Sequence, residues 1–247
     1  MLPPLIDNQT MSINQQIEQW LTEQQAGNPL PRPFVTLSYA QSWDGSITSR
    51  AGQPLALSGN GSTRLTHQLR SLHDGILVGI GTVISDDPLL TVRDWQGRNP
   101  QHIVLDSQLR IPPSARLCQN TEQQCWVLTS VTSQTELIEQ VEVISVAGDD
   151  DGRVKLIDAL HLLWQKGITS LMVEGGSQVI TAFLKAQLAD ALVLTIAPTL
   201  VGGYKGVGSL GLDCKSQMPQ IRSLQTQMLG DDLIMWGNLH YQQAELA

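Results

Sequence analysis

Short apolar runs that end in glycine or polar turns recur along this chain. The runs at 75–79 and 168–173 are too short for helices, and their β-branched residues are typical of strands buried on both faces. Between such runs lie stretches with helical spacing of apolar residues, such as 154–166 and 62–72. Ser62 is the predicted N-cap of the second of these helices. Strands that alternate with helices predict an α/β fold.

The segment 70–93 concentrates residues that could form a site. Its strand at 75–79 runs directly into a G-x-G turn that is followed by Thr82. Glycine is needed where a backbone turns sharply or where a ligand approaches the main chain closely. A pair of acids beginning at Asp86 and the guanidinium of Arg93 follow this turn. Because open α/β sheets bind ligands at the carboxyl ends of their strands, the segment predicts a binding site there.

A second glycine turn, Gly175-Gly176, lies between the strand at 168–173 and a predicted helix at 178–186. Free N–H groups and the positive end of the helix dipole at such a turn attract anions such as a pyrophosphate. The turn lacks the G-x-G-x-x-G fingerprint, so on its own it indicates no more than an affinity for phosphate.

Composition and charge exclude several classes of function. The chain has 15 basic and 23 acidic residues and a net charge of −8, which argues against a nucleic-acid surface. No apolar run reaches the ~18 residues of a membrane span, and the N-terminus lacks the layout of a signal peptide. The three cysteines form no C-x-x-C pair and the five histidines have no ligand spacing. We therefore expect free thiols, no metal site, no membrane partner and a cytoplasmic location.

These motifs closely resemble the reductase domain of the RibD family, the riboflavin-pathway enzymes that reduce a phosphoribosylamino-pyrimidine with NADPH. Five segments carry the resemblance, and they occur in the family's order within residues 31–239. They are S-W-D-G at 42–45, the segment 70–93, L-D-S-Q-L-R at 105–110, V-E-G-G-S at 173–177, and I-A-P running into the glycine pair at 202–203.

The resemblance implies a fold and an activity. It implies a single dihydrofolate-reductase-like α/β domain over 31–247, with a mostly parallel central sheet, helices on both faces and an antiparallel C-terminal edge. It also implies hydride transfer from NADPH to the sugar C1′ carbon of a phosphorylated pyrimidine, in a homodimer. Residues 1–30 lie outside the resemblance, and the apolar face of Ile13, Ile17, Trp20 and Leu21 predicts a short amphipathic helix there. A disordered tail is the alternative.

The resemblance further assigns residues to the reaction. Asp86 and Glu174 would be catalytic, with Asp86 orienting the substrate or relaying a proton and Glu174 also contacting substrate hydroxyls or an amino group. Arg70, Leu90 and Arg93 would bind the substrate together with Glu174, with Arg93 at its phosphate. The implied cofactor contacts are Ala40, Thr82, Asp86, Ser107, Gly175, Gly176, Ser177, Gln178, Val179 and Ile180.

Some features keep other interpretations open. Ser38 stands where many bacterial family members carry a lysine, and the loop at 54–58 lacks the aromatic residue and the Thr-Ser pair that are common there. One alternative is a reductase of the same fold that acts on a pterin or on another pyrimidine. Another is a non-catalytic member that binds nucleotide and acts through association. The zinc deaminase signature is missing, so deamination is expected to be performed elsewhere.

Overall fold

The computed structural model describes residues 11–119, 123–132 and 139–242. The α-helices are α1 (Ile13–Ala26), α2 (Asn60–Ser71), α3 (Ile80–Asp86), α4 (Leu156–Gln165) and α5 (Ser177–Lys185). The strands are β1 (Phe34–Ser42), β2 (Ser46–Thr48), β3 (Gly75–Gly79), β4 (Gln101–Leu105), β5 (Cys125–Thr129), β6 (Val141–Ser145), β7 (Ser170–Val173), β8 (Ala191–Ala197), β9 (Tyr204–Lys205), β10 (Gln220–Leu229) and β11 (Asp232–His240). Short 3-10 turns lie at Arg116–Gln119 and Lys215–Gln217.

Nine strands form one sheet in the order β10-β11-β8-β1-β7-β3-β4-β5-β6, and β2 and β9 form a separate antiparallel pair. All neighbours from β8 to β6 are parallel, whereas β11 is antiparallel to β8 and β10 is antiparallel to β11. The predicted architecture, a mostly parallel sheet with an antiparallel C-terminal edge, is therefore confirmed. The short buried runs form its central strands because both faces of a parallel sheet are covered by helices.

Two apolar cores cover the faces of the sheet and give the domain three layers. On one face, α1 and α2 pack Ile17 and Leu65 against strand residues such as Ile76. On the other face, α4 and α5 pack Leu163 and Phe183 against the opposite side of the same strands. Within the described residues, no helix is long and apolar enough to cross a membrane.

Helix α1 belongs to the first of these cores. It begins with a capping box in which Ser12 and Gln15 each satisfy a main-chain N–H of the other. Its buried residues are Ile13, Ile17, Trp20 and Leu21, which are the apolar face read from the sequence. Residues 1–10 of the predicted N-terminal extension lie outside the described part of the chain.

The predicted start of α2 was wrong. The helix begins at Asn60 and its N-cap is Gly59, not Ser62. The hydroxyl of Ser62 instead donates a 2.6 Å hydrogen bond to Asp232, which also accepts the main-chain N–H of Gly59. A buried carboxylate from the first residue of β11 thus caps the helix from outside its own sequence.

Candidate active site

The candidate site lies at the carboxyl ends of the three central strands. After β1 the chain builds β3 to β6 on one side, and it then returns through β7 to place β8 on the other side of β1. Such a change of direction opens a crevice at the strand ends, where open α/β sheets bind ligands. Ala40 lies two residues before the end of β1, Gly79 is the last residue of β3 and Glu174 directly follows β7.

The two glycine turns found in the sequence meet at this crevice. A Cβ atom on Gly79 would come within 2.7 Å of the Val179 side chain, and one on Gly175 within 2.8 Å of it. Val179 therefore packs between both turns, and a side chain on either glycine would push it away. A Cβ on Gly176 would instead lie 3.7 Å from the Thr82 hydroxyl, at an ordinary contact distance. The turns after β3 and β7 thus face each other across a narrow gap.

The turn that begins α5 can bind an anion. No side chain caps the helix at Gly176, and its first turn contains no acidic residue. The N–H groups of Gly175, Gly176, Ser177 and Gln178 have no hydrogen-bond acceptor among the described residues. Uncapped N–H groups at the positive end of a helix favour phosphate oxygens. Ile180 offers no free group to this turn, because its N–H donates to the carbonyl oxygen of Gly176 and its side chain is fully buried in the core.

A buried ion pair lies at the mouth of the same crevice. The guanidinium of Arg70 donates two hydrogen bonds to the carboxylate of Glu174, at 2.9 and 2.6 Å. A third N–H of Arg70 donates to the carbonyl oxygen of Thr91 at 3.0 Å. The two charged side chains are 9% and 25% exposed, so Arg70 is buried while an edge of the Glu174 carboxylate stays open to a ligand. Arg70 therefore fixes the orientation of Glu174 instead of lying free on a helix surface.

Ser38 is the neighbour of Glu174 on the adjacent strand. Strand β1 pairs with β7 up to Leu37 and Val173, so the next residues, Ser38 and Glu174, lie side by side on the face that Arg70 covers. Ser38 is buried and uncharged. The position of the lysine that the family resemblance led us to expect thus holds a buried hydroxyl, one residue past the last pairing of β1 with β7.

The other residues predicted to act on the substrate lie at the end of α3 and on the segment that follows it. Asp86 is the last residue of α3 and is exposed to solvent. Leu90 is buried and has a φ of 55°, an uncommon value for a residue with a branched side chain. The Arg93 side chain is exposed and has no acidic partner among the described residues, so its guanidinium is available to a ligand.

Ser107 lies one strand farther out, after β4. Its hydroxyl accepts the main-chain N–H of Val154, and its carbonyl oxygen accepts the hydroxyl of Ser130, both at 3.0 Å. The predicted cofactor residue therefore also joins three loops at the carboxyl edge of the sheet. Arg110, four residues from the buried Asp106, is exposed and can reach a ligand at this edge.

Asp44 connects two loops beside the site, a role that the sequence did not predict. Its carboxylate accepts the Lys205 ammonium at 2.7 Å and the main-chain N–H groups of Val201 and Gly202. Hydrogen bonds from Lys205, then from Ser42 and Val201, hold the pKa of Asp44 well below its usual range. The S-W-D-G motif was the available signal, but Val201, Gly202 and Lys205 lie 157, 158 and 161 residues from Asp44 in the chain. These contacts of Asp44 form a clamp that holds the glycine-rich loop around Gly202 against the carboxyl end of β1.

Within the described ranges, no group of three or more His, Cys, Asp or Glu side chains is arranged to hold a metal ion. The polar groups of the crevice are instead an uncapped turn, a carboxylate fixed by a guanidinium, and a free arginine. This combination suits an anionic ligand that also carries hydroxyl groups.

Fold and site together define an open α/β domain with a crevice at its switch point whose polar groups suit an anionic ligand. The chain belongs to the family of the RibD C-terminal domain, whose profile matches residues 33–235. The resemblance found in the sequence is thereby confirmed.

Two relatives illustrate the range of the family. The chain is 33% identical over 209 residues to the riboflavin biosynthesis protein RibD of Aquifex aeolicus, an alignment that covers 83% of this chain and 57% of the relative. It is 36% identical over 214 residues to the 2,5-diamino-6-ribosylamino-4(3H)-pyrimidinone 5′-phosphate reductase of Methanothermobacter thermautotrophicus, which covers 83% of this chain and 97% of that protein. The chain thus spans a little over half the length of RibD relatives, and nearly all of the second protein.

Solved structures have the same fold. RibD of Acinetobacter baumannii superposes with a TM-score of 0.74 at 25% identity and covers 85% of this chain and 59% of its own. The riboflavin biosynthesis reductase Rib7 of Saccharomyces cerevisiae superposes with a TM-score of 0.78 at 24% identity, over 93% of this chain and 100% of its own. The second likeness concerns the fold alone.

Proposed function

We propose that this protein is an NADPH-dependent reductase of riboflavin biosynthesis that converts a 5-phosphoribosylamino-pyrimidine to its ribitylamino product. The observation that carries the proposal is the fixed carboxylate of Glu174 next to the anion-binding turn of α5. A nicotinamide dinucleotide and a sugar phosphate are both anionic, and each finds a complementary group in this crevice. The names of the relatives, RibD and a pyrimidinone 5′-phosphate reductase, support the same reaction.

The residues of the crevice fit a dinucleotide. The uncapped N–H groups from Gly175 to Gln178 suit its diphosphate, and the bare Gly176 leaves room for it beside Thr82. Ala40 near the end of β1 suits the nicotinamide end, while Ser107 and Arg110 suit the ribose and 2′-phosphate of the other end. When bound, NADPH supplies the hydride that reduces C1′ of the opened sugar.

The protein's own groups position the substrate. Glu174, held by Arg70, presents its open edge to the hydroxyl groups of the sugar. Arg93 binds the phosphate with a guanidinium that no described acid neutralises. Asp86 lies exposed at the end of α3, and its carboxylate is the group we assign to orienting the substrate or to relaying a proton. Ser38 replaces a charged group beside Glu174 with a hydroxyl, which favours an uncharged contact there.

The direct test is NADPH oxidation with each of two substrates, the 2-amino pyrimidine and its deaminated form. We expect turnover with one of them and a large loss in Asp86→Asn, with NADPH affinity followed separately by fluorescence. Arg93→Gln should raise KM for the phosphorylated substrate and leave that for NADPH unchanged. Tight NADPH binding without turnover of either compound would contradict the substrate assignment and favour a pterin or another pyrimidine. No NADPH binding would contradict the reductase itself.

We further propose a homodimer that uses the outer edge of β10. This edge strand exposes Ile221, Leu224 and Met228, which are 36%, 47% and 56% accessible. An exposed apolar edge strand pairs readily with a second copy of itself around a two-fold axis. Light scattering should give twice the chain mass, and Leu224→Asp should shift the protein to monomer. A wild-type mass of one chain would contradict the dimer.

A further inference from the structure

The segment that carries Arg93 is held in place by side chains from helix α2. Arg70 donates to the carbonyl oxygen of Thr91, and the main-chain N–H of Arg93 donates to Nδ1 of His67 at 3.2 Å. His67 and Arg70 are three residues apart, so they lie on one face of the helix. Helix α2 thus contacts the main chain of residues 91 and 93 through two of its side chains.

Two further contacts complete this attachment. The guanidinium of Arg64, one turn before His67, lies 5.1 Å from the ring centre of Trp95. The main-chain N–H of Val92 donates to the side chain of Asn99 at 2.7 Å. Among the described residues, the main chain of 91–93 makes no hydrogen bond to other main chain. The conformation of this segment therefore depends on side chains. At Arg93, the hydrogen bond of the main-chain N–H is made to His67.

The contact defines the tautomer of His67. A main-chain N–H can only donate, so Nδ1 of His67 accepts and the ring proton of the neutral form is on Nε2. Nε2 lies 3.7 Å from the carboxylate of Asp94. The residue is 2% exposed, and its burial, together with Arg70 and Arg93, lowers the pKa of His67. His67 is thus kept neutral, with a lone pair directed at the segment.

We propose that His67 is a positioning residue for substrate binding, because its Nδ1 holds the main chain of Arg93 so that the guanidinium faces the substrate phosphate. This inference rests on the proposed function, which assigns Arg93 to the phosphate. Without the Nδ1 acceptor, Arg93 gains backbone freedom and must lose it again when the phosphate binds. The expected result is weaker substrate binding with an unchanged chemical step.

The proposal implies a dependence on pH. The charged groups that face His67 are Arg70 on its own helix and Arg93 and Asp94 on the segment. A proton on Nδ1 would point at the N–H of Arg93 and break the contact. Burial and the two arginines disfavour the added positive charge more than Asp94 favours it, so the pKa of His67 is lowered. KM for the phosphorylated substrate should therefore rise at acidic pH. Because the pKa of this imidazole lies below its ordinary value, the rise should come at a lower pH than a free histidine would give.

The test compares His67→Asn with His67→Gln. The side-chain oxygen of asparagine can occupy the place of Nδ1, accepts a hydrogen bond and cannot be protonated, whereas the glutamine amide extends one atom farther. We expect His67→Gln to raise KM for the phosphorylated substrate about tenfold, with kcat within twofold of wild type. His67→Asn should keep a KM close to that of wild type and lose its rise at acidic pH.

Hydrogen exchange of the segment 91–95 provides a readout that needs no turnover. The amide of Arg93 should exchange faster in His67→Gln than in wild type and should be protected again in His67→Asn. If wild type turns over and His67→Gln has an unchanged KM, the positioning role is refuted while the proposed function stands. If wild type does not turn over, the proposed function fails, and equal exchange in all three proteins would refute the role of His67 as well.

Discussion

The pair formed by Arg70 and Glu174 predicts a measurable loss of stability when its charge is removed from one side. Glu174→Gln keeps the shape of the side chain but leaves a guanidinium that is only 9% exposed without its carboxylate. Breaking a buried pair costs about 3–5 kcal/mol. Glu174 is a quarter exposed and water can reach the vacated side, so we expect the lower end of this range, about 3 kcal/mol. For a domain of this size that corresponds to a Tm lower by roughly 6–12 °C.

The chain offers a matched control for this substitution. Glu142 accepts the ammonium of Lys166 at 2.8 Å, but these side chains are 37% and 32% exposed. Glu142→Gln makes the identical chemical change in a solvated pair, for which we expect a loss below about 1 kcal/mol. Thermal melts followed by circular dichroism, together with urea unfolding, measure both variants under the same buffer conditions.

Glu174→Gln should lower Tm by more than Glu142→Gln does. If Glu174→Gln and Glu142→Gln lower Tm equally, the Arg70 guanidinium is not desolvated and the reasoning is refuted. The double variant Arg70→Met/Glu174→Met removes both charges and should recover much of the lost stability, because an apolar pair leaves no buried charge. It should not recover turnover, since the carboxylate that orients the substrate is gone.

Three further predictions concern other parts of the fold. Burial lowers the pKa of His73 and His102 to about 4, so the unfolded chain takes up protons before the folded protein as pH falls below 6.5. Each of these histidines should therefore lower the free energy of unfolding by about 2 kcal/mol at pH 5. Urea midpoints that are equal at pH 7.5 and pH 5 would contradict this. Gly175→Ala should lower Tm because its Cβ meets Val179, whereas Gly176→Ala should keep Tm and weaken NADPH binding, as titration of each variant would show. Asp44→Asn should speed hydrogen exchange in the loop 199–206, and unchanged exchange there would exclude the clamp.

The alternating pattern of the sequence was enough to predict an α/β fold and the glycine turns, whereas the helices on both faces of the sheet followed from the family resemblance. The run at 75–79 forms β3 with all five residues buried, and the run at 168–173 contains β7, which is also fully buried. Local composition determines such elements, because a short apolar strand is stable only between two covered faces. The Gly175-Gly176 turn was equally visible, since a glycine pair between a strand and a helix has few structural uses.

The partners of the site residues could not be predicted in the same way. Arg70 and Glu174 are 104 positions apart in the chain, and they meet only because β7 inserts between β1 and β3. The misplaced cap of α2 has the same cause, since Asp232 reaches its first turn from the far end of the chain. Hydrogen bonds between distant elements depend on strand order, and no local pattern encodes strand order.

Helix α2 shows why stability and substrate binding are coupled in this fold. One face of the helix buries Leu65 and Leu69 in the core, while Arg64, His67 and Arg70 on another face hold the segment that bears Arg93. The helix cannot shift on the core without moving the segment, because both attachments use side chains of the same two turns. The site is therefore held by the packing of a core helix, and a ligand that binds the segment must also stabilise the fold.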